Sequence, residues 1–369
     1  MKRDFDNVNR VVVKIGTSVL TKPDGALDKK YMHEVAGQCS AIMKSGRTVT
    51  IVTSGAIGSG IRELGLKDPR EIPTRQGAAA VGQSILMESW RKAFRKFGVK
   101  VAQILLTYEA FSNRRTYLNL RNSLQFLTKC NTVPIINEND PISVHEIEAT
   151  FGDNDRLSAL VAANTDAELL ILLTDVDGLY DKNPRHKDAK LIREVTELTP
   201  AIERIGGGPS SWRTKGGMKT KIEAAKIATK SNCAMVIANA REENVLERIL
   251  SGEEFGTLFT PRRVGYGNKE RWIRFSKSSG KIRIDKRAKN ALLTGASLLP
   301  SGIVRVEGEF SPGSIVSLVC SNHEIARGVV EYSSHELNKI KGRQTNEIET
   351  ILGYKNYDNV VRREKMVLT

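Results

Sequence analysis

Histidine and cysteine are scarce in this chain of 369 residues, which holds five of the first and four of the second. Cys39, Cys130, Cys233 and Cys320 lie far apart without a C-x-x-C pair. That spacing argues against a disulfide frame or a cysteine-built zinc site and predicts reduced thiols in the core. His33, His145, His186, His323 and His335 are equally scattered, and no two stand at metal-ligand spacing. No run of about 18 apolar residues occurs, so no membrane-spanning helix is expected. The N-terminal "MKRDFDNVNR" is charged and has no apolar signal segment, which predicts a cytoplasmic protein. G-x-x-x-x-G-K-[ST] is absent, as is G-x-G-x-x-G after the first strand, so neither the P-loop nor the dinucleotide fingerprint applies. Aromatic residues make up 6% of the chain. Trp272, Phe275, Phe310 and Tyr332 read as core residues rather than as an RNA-stacking set.

What is present fits two domains, since the length exceeds that of one typical domain and 40% of residues are apolar. The net charge is +15. Its excess is densest late in the chain: residues 261–369 hold 20 Lys/Arg against 11 Asp/Glu, and residues 1–260 hold 37 against 31. A basic region attracts phosphates or nucleic acid, although a solvated surface is its ordinary use.

Apolar runs alternate with helical patterns over the first 260 residues. "RVVVKI", "TVTIVT" (48–53), "VKVAQILL", "TVPIIN" (132–137), "ELLILLT" (168–174) and "CAMVIAN" (233–239) read as strands. Helical spacing follows the first at Leu27, Tyr31, Val35, Cys39 and Ile42, and recurs at about 76–97, "NRRTYLNLRNSLQFLTKC", "DRLSALVAANT" and "MKTKIEAAKIATKSN". This alternation predicts a mostly parallel central sheet covered by helices on both faces. After Gly265 the pattern changes to short strands between Pro and Gly turns: "IVRVEGEF", "SIVSLV" and "EIARGVVEY". The expected division is an α/β domain over 1–267 and a small β domain over 278–358.

Polar residues cluster where strands end, and ligands of such folds sit there. Lys14 and Gly16 follow the first strand, Ser54 and Gly55 the second, Asn137 to Asp140 the fourth, and Thr174, Asp175 and Asp177 the fifth. A lysine at the mouth of a buried strand is expensive to desolvate. Asp153, Asn154 and Asp155 stand at a helix start, where one N-cap needs only one such residue. They suit a substrate ammonium or the orientation of a lysine. "TKGGMKTK" sets a diglycine before a helix, among Lys215, Lys219 and Lys221, and offers an anion site by charge and by backbone N–H.

"VVVKIGTSVL", "IVTSGAIGSG", "VPIINENDP", "FGDNDRLSA", "LLTDVDGLYDKNP" and "GGMKTKIEAA", in this order over about 10–265, together resemble the amino acid kinase family. The match is to its branch acting on the γ-carboxylate of L-glutamate, and the later segment resembles a PUA domain. The resemblance implies the amino acid kinase fold followed by a PUA-like domain. It implies transfer of phosphate from ATP to L-glutamate, with Mg²⁺ held mainly through ATP phosphates, as the first step of proline biosynthesis. It implies catalytic roles for Lys14, Lys221 and Asp155. Ser54, Asp140, Asn154, Asn137 and Asp153 would bind the substrate. Lys14, Thr174, Asp175, Lys215, Gly216, Gly217, Met218, Lys219, Thr220 and Lys221 would bind the nucleotide. A homo-oligomer, dimer or tetramer, is implied, with RNA as a candidate partner of the PUA-like domain. Lys215 departs from the family's usual small residue before the diglycine. Two other readings compete. One is a sibling kinase acting on acetylglutamate, aspartate, carbamate or UMP. The other is an RNA-binding protein working through its β domain.

Overall fold

The structure, a computed structural model, describes residues 3–22, 24–67, 71–142, 154–184, 186, 188–207, 217–261 and 268–369. The chain forms two compact units, Met1–Thr107 with Leu120–Gly265, and Tyr108–Asn119 with Tyr266–Thr369.

Ten strands of the first unit are β1 (Arg10–Ile15), β2 (Thr48–Val52), β3 (Lys100–Leu106), β4 (Thr132–Glu138), β5 (Leu169–Thr174), β6 (Leu179–Tyr180), β7 (Leu191–Ile192), β8 (Glu194–Val195), β9 (Ala234–Asn239) and β10 (Thr257–Phe259). Eight of them make one sheet in the order β3-β4-β2-β1-β5-β9-β10-β8, and β6 pairs with β7. Every pairing in the large sheet is parallel except β9 with β10. The expected mostly parallel sheet is therefore present. β6, β7, β8 and β10 have two or three residues each, too few for a period to show in sequence.

β1 lies between β2 and β5, with Lys14 beside Val52 and Leu172. Its side chains alternate between faces. Val11, Val13 and Ile15 enter a core with Val35, Cys39, Leu86 and Trp90 from the Lys29–Lys44 and Ile72–Arg95 helices. Val12 and Lys14 take the opposite face, where the Asn154–Thr165 helix crosses β1. That helix is buried nearly all round, as an Ala- and Leu-rich helix over a sheet should be.

The Ala56–Glu63 helix packs closely on Ile72–Arg95. A Cβ at Gly60 would strike the carbonyl of Ala78, and one at Gly82 the carbonyl of Ala56. The glycines of "TSGAIGSG" and "AVGQ" thus serve backbone-to-backbone packing.

The second unit holds β11 (Gly280–Ile284), β12 (Ile303–Glu307), β13 (Ile315–Cys320), β14 (His323–Val330) and β15 (Val361–Leu368) in the order β12-β11-β13-β14-β15. Its core includes Ile282, Leu318, Val330, Tyr332, Leu337 and Val361. Three helices, Lys286–Leu293, Ser334–Ile340 and Ile348–Leu352, join the strands that the sequence predicts. Ser333 and Glu336 form a capping box at the second of these. β15 lies wholly beyond residue 358; as an edge strand carrying Arg362, Arg363 and Lys365 it lacks a continuous apolar signal.

Trp272, Phe310 and Tyr332 are buried, and Phe275 is half-buried. Cys39, Cys233 and Cys320 are buried free thiols. Cys130 corrects the expectation of core thiols: it is exposed, just past the end of the Arg114–Lys129 helix. Among the described residues, no helix is long and apolar enough to cross a membrane.

Candidate active site

β4, β2, β1 and β5 are consecutive neighbours in the sheet, so their C-terminal ends share one rim. Those are the four strands whose ends carry the polar residues. β1 is also where the sheet order reverses, with β2 on one side and β5 on the other, the place where such sheets open a crevice.

Asp155, in the first turn of the Asn154–Thr165 helix, is 1% exposed. One carboxylate oxygen meets the Lys14 ammonium at 2.5 Å. The other meets the Lys221 ammonium at 3.1 Å and accepts the Thr220 hydroxyl at 3.0 Å. Lys14 arrives from the central strand, and Lys221 from the first turn of the Met218–Lys230 helix; each is 7% exposed. Three residues separated by 141 and 66 positions in the chain therefore form one buried ionic cluster. Gly217 caps the Met218–Lys230 helix with no side-chain hydrogen bond, which leaves backbone N–H groups at its start for an anion.

Burial pushes the Asp155 carboxyl up, but Lys14 and then Lys221 overcome this and hold it at about 2, below its ordinary 3.8. Because the folded value is the lower one, ionised Asp155 favours the folded state above about pH 4. That contribution is lost as pH falls from about 4 towards 2. Acid titration of the thermal midpoint should show this loss in the wild type and not in Asp155→Asn.

Beside this cluster lies a second, uncharged one. The Asn154 amide donates to the Thr53 carbonyl at 2.8 Å, to the Ser54 hydroxyl at 2.9 Å and to Asn137 Oδ1 at 3.1 Å. Asn137 in turn donates to Gln83 Oε1 at 2.9 Å, and Trp90 Nε1 donates to the Thr53 hydroxyl at 3.1 Å. Gly55, with φ +102°, turns the chain from β2 into the Ala56–Glu63 helix and so places Ser54 at this point.

Other residues singled out from the sequence lie apart or at the margin. Asp140 is buried just beyond β4. Thr174 is buried at the end of β5 and donates to Asp175, which is exposed, at 3.1 Å. Met218 is half-buried, and Lys219 is exposed rather than drawn into the ionic cluster. Asp153, Lys215 and Gly216 lie outside the described residues. Sequence reasoning missed Thr53, Gln83 and Trp90. A signal existed for Gln83: it shares the buried stripe of its helix with Leu86 and Trp90, at a spacing where an apolar residue is the rule.

The profile of the amino acid kinase family matches residues 9–239, and that of the PUA domain matches residues 280–352. A glutamate 5-kinase of Methanococcoides burtonii is 53% identical over 370 residues, covering 100% of this chain and 98% of that protein. One from Methanosarcina acetivorans is 53% identical, covering 98% of this chain and 96% of that protein. One from Thermoanaerobacter pseudethanolicus is 47% identical, covering 97% of each. A family match over more than half the chain, with relatives aligned from end to end, agrees with a site of lysines, amides and one shared carboxylate on the rim of a parallel sheet: this chain belongs to the amino acid kinase family.

Proposed function

We propose that this chain transfers the γ-phosphoryl group of ATP to the γ-carboxylate of L-glutamate. The products are L-glutamyl 5-phosphate and ADP, in the first step of proline biosynthesis. The observation that carries the reading is Asp155 held between Lys14 and Lys221, next to the Ser54–Asn137–Asn154 cluster.

The chemistry asks for charge rather than for covalent help. Phosphoryl transfer redistributes negative charge over the phosphoryl oxygens, and fixed cations lower its barrier. The attacking carboxylate is ionised at neutral pH, so no general base is needed. A carboxylate oxygen forms the new bond to phosphorus while the bond to ADP breaks. Lys14 and Lys221, oriented by Asp155, face the transferring group and the ATP phosphates. Asp155 is engaged by two ammonium groups, which fits an Mg²⁺ ion carried on the ATP phosphates and water rather than caged by protein. Bound there, Mg²⁺ would supply neutralisation of phosphate charge. Thr174, Asp175 and residues 215–221 are assigned to the nucleotide, and Asp140, Asp153 and the amide cluster to glutamate.

The reading includes a kinase domain over 1–267, a PUA-like domain over 278–358, a homo-oligomeric assembly and a cytoplasmic location. RNA is the partner class to test against the PUA-like domain.

A substrate panel decides between this reaction and its siblings. Purified protein with ATP and Mg²⁺ is offered glutamate, acetylglutamate, aspartate and UMP, with hydroxylamine present to trap acyl phosphate. Hydroxamate should form with glutamate; its formation with acetylglutamate or aspartate in preference would overturn the assignment. Within the site, Asp140→Ala should raise the KM for glutamate by about tenfold or more and leave that for ATP nearly unchanged, the cost of one charged contact to the amino acid. A rise confined to ATP would move Asp140 to the nucleotide side.

A further inference from the structure

Residues 108–119 follow β3 in the chain but pack with the second unit, and the chain rejoins the first unit at Leu120. Phe111 and Tyr117 are buried there, while Asn113, Arg115 and Thr116 between them stay exposed. The Asn268–Phe275 helix holds the segment. Just past its end, the Ser276 hydroxyl is shared between the carbonyls of Phe111 and Trp272, the latter at 2.6 Å. The Arg114 guanidinium stands 5.1 Å from the centre of the Trp272 ring. Arg114 Nη1 is buried and, among the described residues, has no hydrogen-bond acceptor, so the ring is what it meets. The helix is fastened in turn to the β sheet. Arg274 donates to the Leu368 carbonyl of β15 at 2.6 Å, and Arg327 of β14 donates to the carbonyls of Arg274 and Ser276 at 3.0 and 2.9 Å.

At its other end the segment continues β3, an edge strand paired with β4. Leu105 lies beside Asn137, and Leu106 beside Glu138. The Leu106 carbonyl accepts the Asn139 N–H at 2.8 Å. The turn that carries Asp140 is thus pinned to the last residue of β3, two positions before the segment begins.

We infer that the Asn268–Phe275 helix, acting through residues 108–119, positions the glutamate side of the site and not its nucleotide side. The inference rests on the reading of the chain as a glutamate kinase and deepens it. Arg114, Trp272 and Ser276 touch no substrate; they are positioning residues. Anchoring 108–119 fixes the end of β3, and the end of β3 fixes the backbone of Asn139 next to Asp140. Thr174 is differently placed, because β4, β2 and β1 stand between β3 and β5. Coupling of this kind is reciprocal: what helps glutamate bind is itself tightened by glutamate.

Two experiments on the full chain test this. In the first, hydrogen exchange of the wild type is followed with and without saturating glutamate. Peptides over 137–140 should exchange more slowly with glutamate, and so should those over 108–119 and 268–276, by about threefold or more. In the second, Arg114→Met is combined with Ser276→Ala, which removes the cation over the ring and the shared hydroxyl. The KM for glutamate should rise about three- to tenfold, the range for one or two modest contacts. The KM for ATP should stay within about twofold of wild type, and kcat should fall by less than the KM for glutamate rises. Protection confined to 137–140 would overturn the inference. So would a variant whose two KM values both stay at the wild-type level or rise together. Should the variant fail to fold, the exchange experiment decides alone. If glutamate protects no segment and is not turned over, the underlying reading fails instead, and the two failures are thereby distinct.

Discussion

Lys14→Ala should lower kcat by about a hundredfold or more, the scale of removing one preorganised charge partner of a transition state. The reason lies in where the lysine comes from. β1 is buried from Val11 to Ile15, flanked by β2 and β5, and has little freedom to move. Lys14 is held by Asp155 at 2.5 Å before any substrate is present, so little reorganisation is left for the reaction itself. Alanine removes the charge while leaving the strand, its neighbours and the Asp155–Lys221 contact in place. The fold should therefore persist. The KM for glutamate should change less than kcat, because the charge that the lysine meets is greatest as the phosphoryl group transfers. Steady-state kinetics with circular dichroism on the purified variant would check both. A kcat within a factor of about three of wild type, on folded protein, would remove Lys14 from the reaction.

The legibility of this site in the sequence follows from which signals are local. The long parallel strands show as apolar runs because both of their faces are buried, and a lysine at the end of one stands out against that background. The polar residues after β1, β2, β4 and β5 are each visible, and the fold rule about strand ends brings them to one rim before any coordinates are seen. Their pairing is not local. Nothing in spacing links position 14 to 155 or 221; that link came from resemblance to a family, and the structure shows it as an ionic contact. Gln83 was hidden for a different reason. Its helix reads as amphipathic packing, and one glutamine among apolar residues looks like tolerance rather than design until its oxygen is seen on Asn137. In the second unit, β15 is illegible because an edge strand that carries Arg362, Arg363, Glu364 and Lys365 in a row shows no period of two and resembles a surface segment.

Asp155→Asn should damage stability and activity together, and more severely than the loss of either lysine. Asp155, in the first turn of a helix that is itself buried, is 1% exposed, and each of its carboxylate oxygens serves a different lysine. Asparagine keeps the shape but cannot neutralise an ammonium. Lys14, 7% exposed on the central strand, would lose the carboxylate that pairs it. Breaking a buried pair by removing one partner costs about 3–5 kcal/mol, because the remaining charge stays desolvated. The midpoint of urea unfolding should fall accordingly, and the acid sensitivity between about pH 4 and 2 should disappear along with the group that titrates there. Turnover should drop by at least the hundredfold or so expected for Lys14→Ala, since both lysines lose the anchor that orients them and the losses of groups acting as a unit do not simply add. ATP-Mg²⁺ offers a separate readout. If its phosphates take over the role of counter-charge, saturating nucleotide should return part of the lost stability in Asp155→Asn, and return more than it adds to wild type. A variant as stable as wild type without nucleotide would show that Lys14 and Lys221 find other partners, and that Asp155 is not what holds the cluster together.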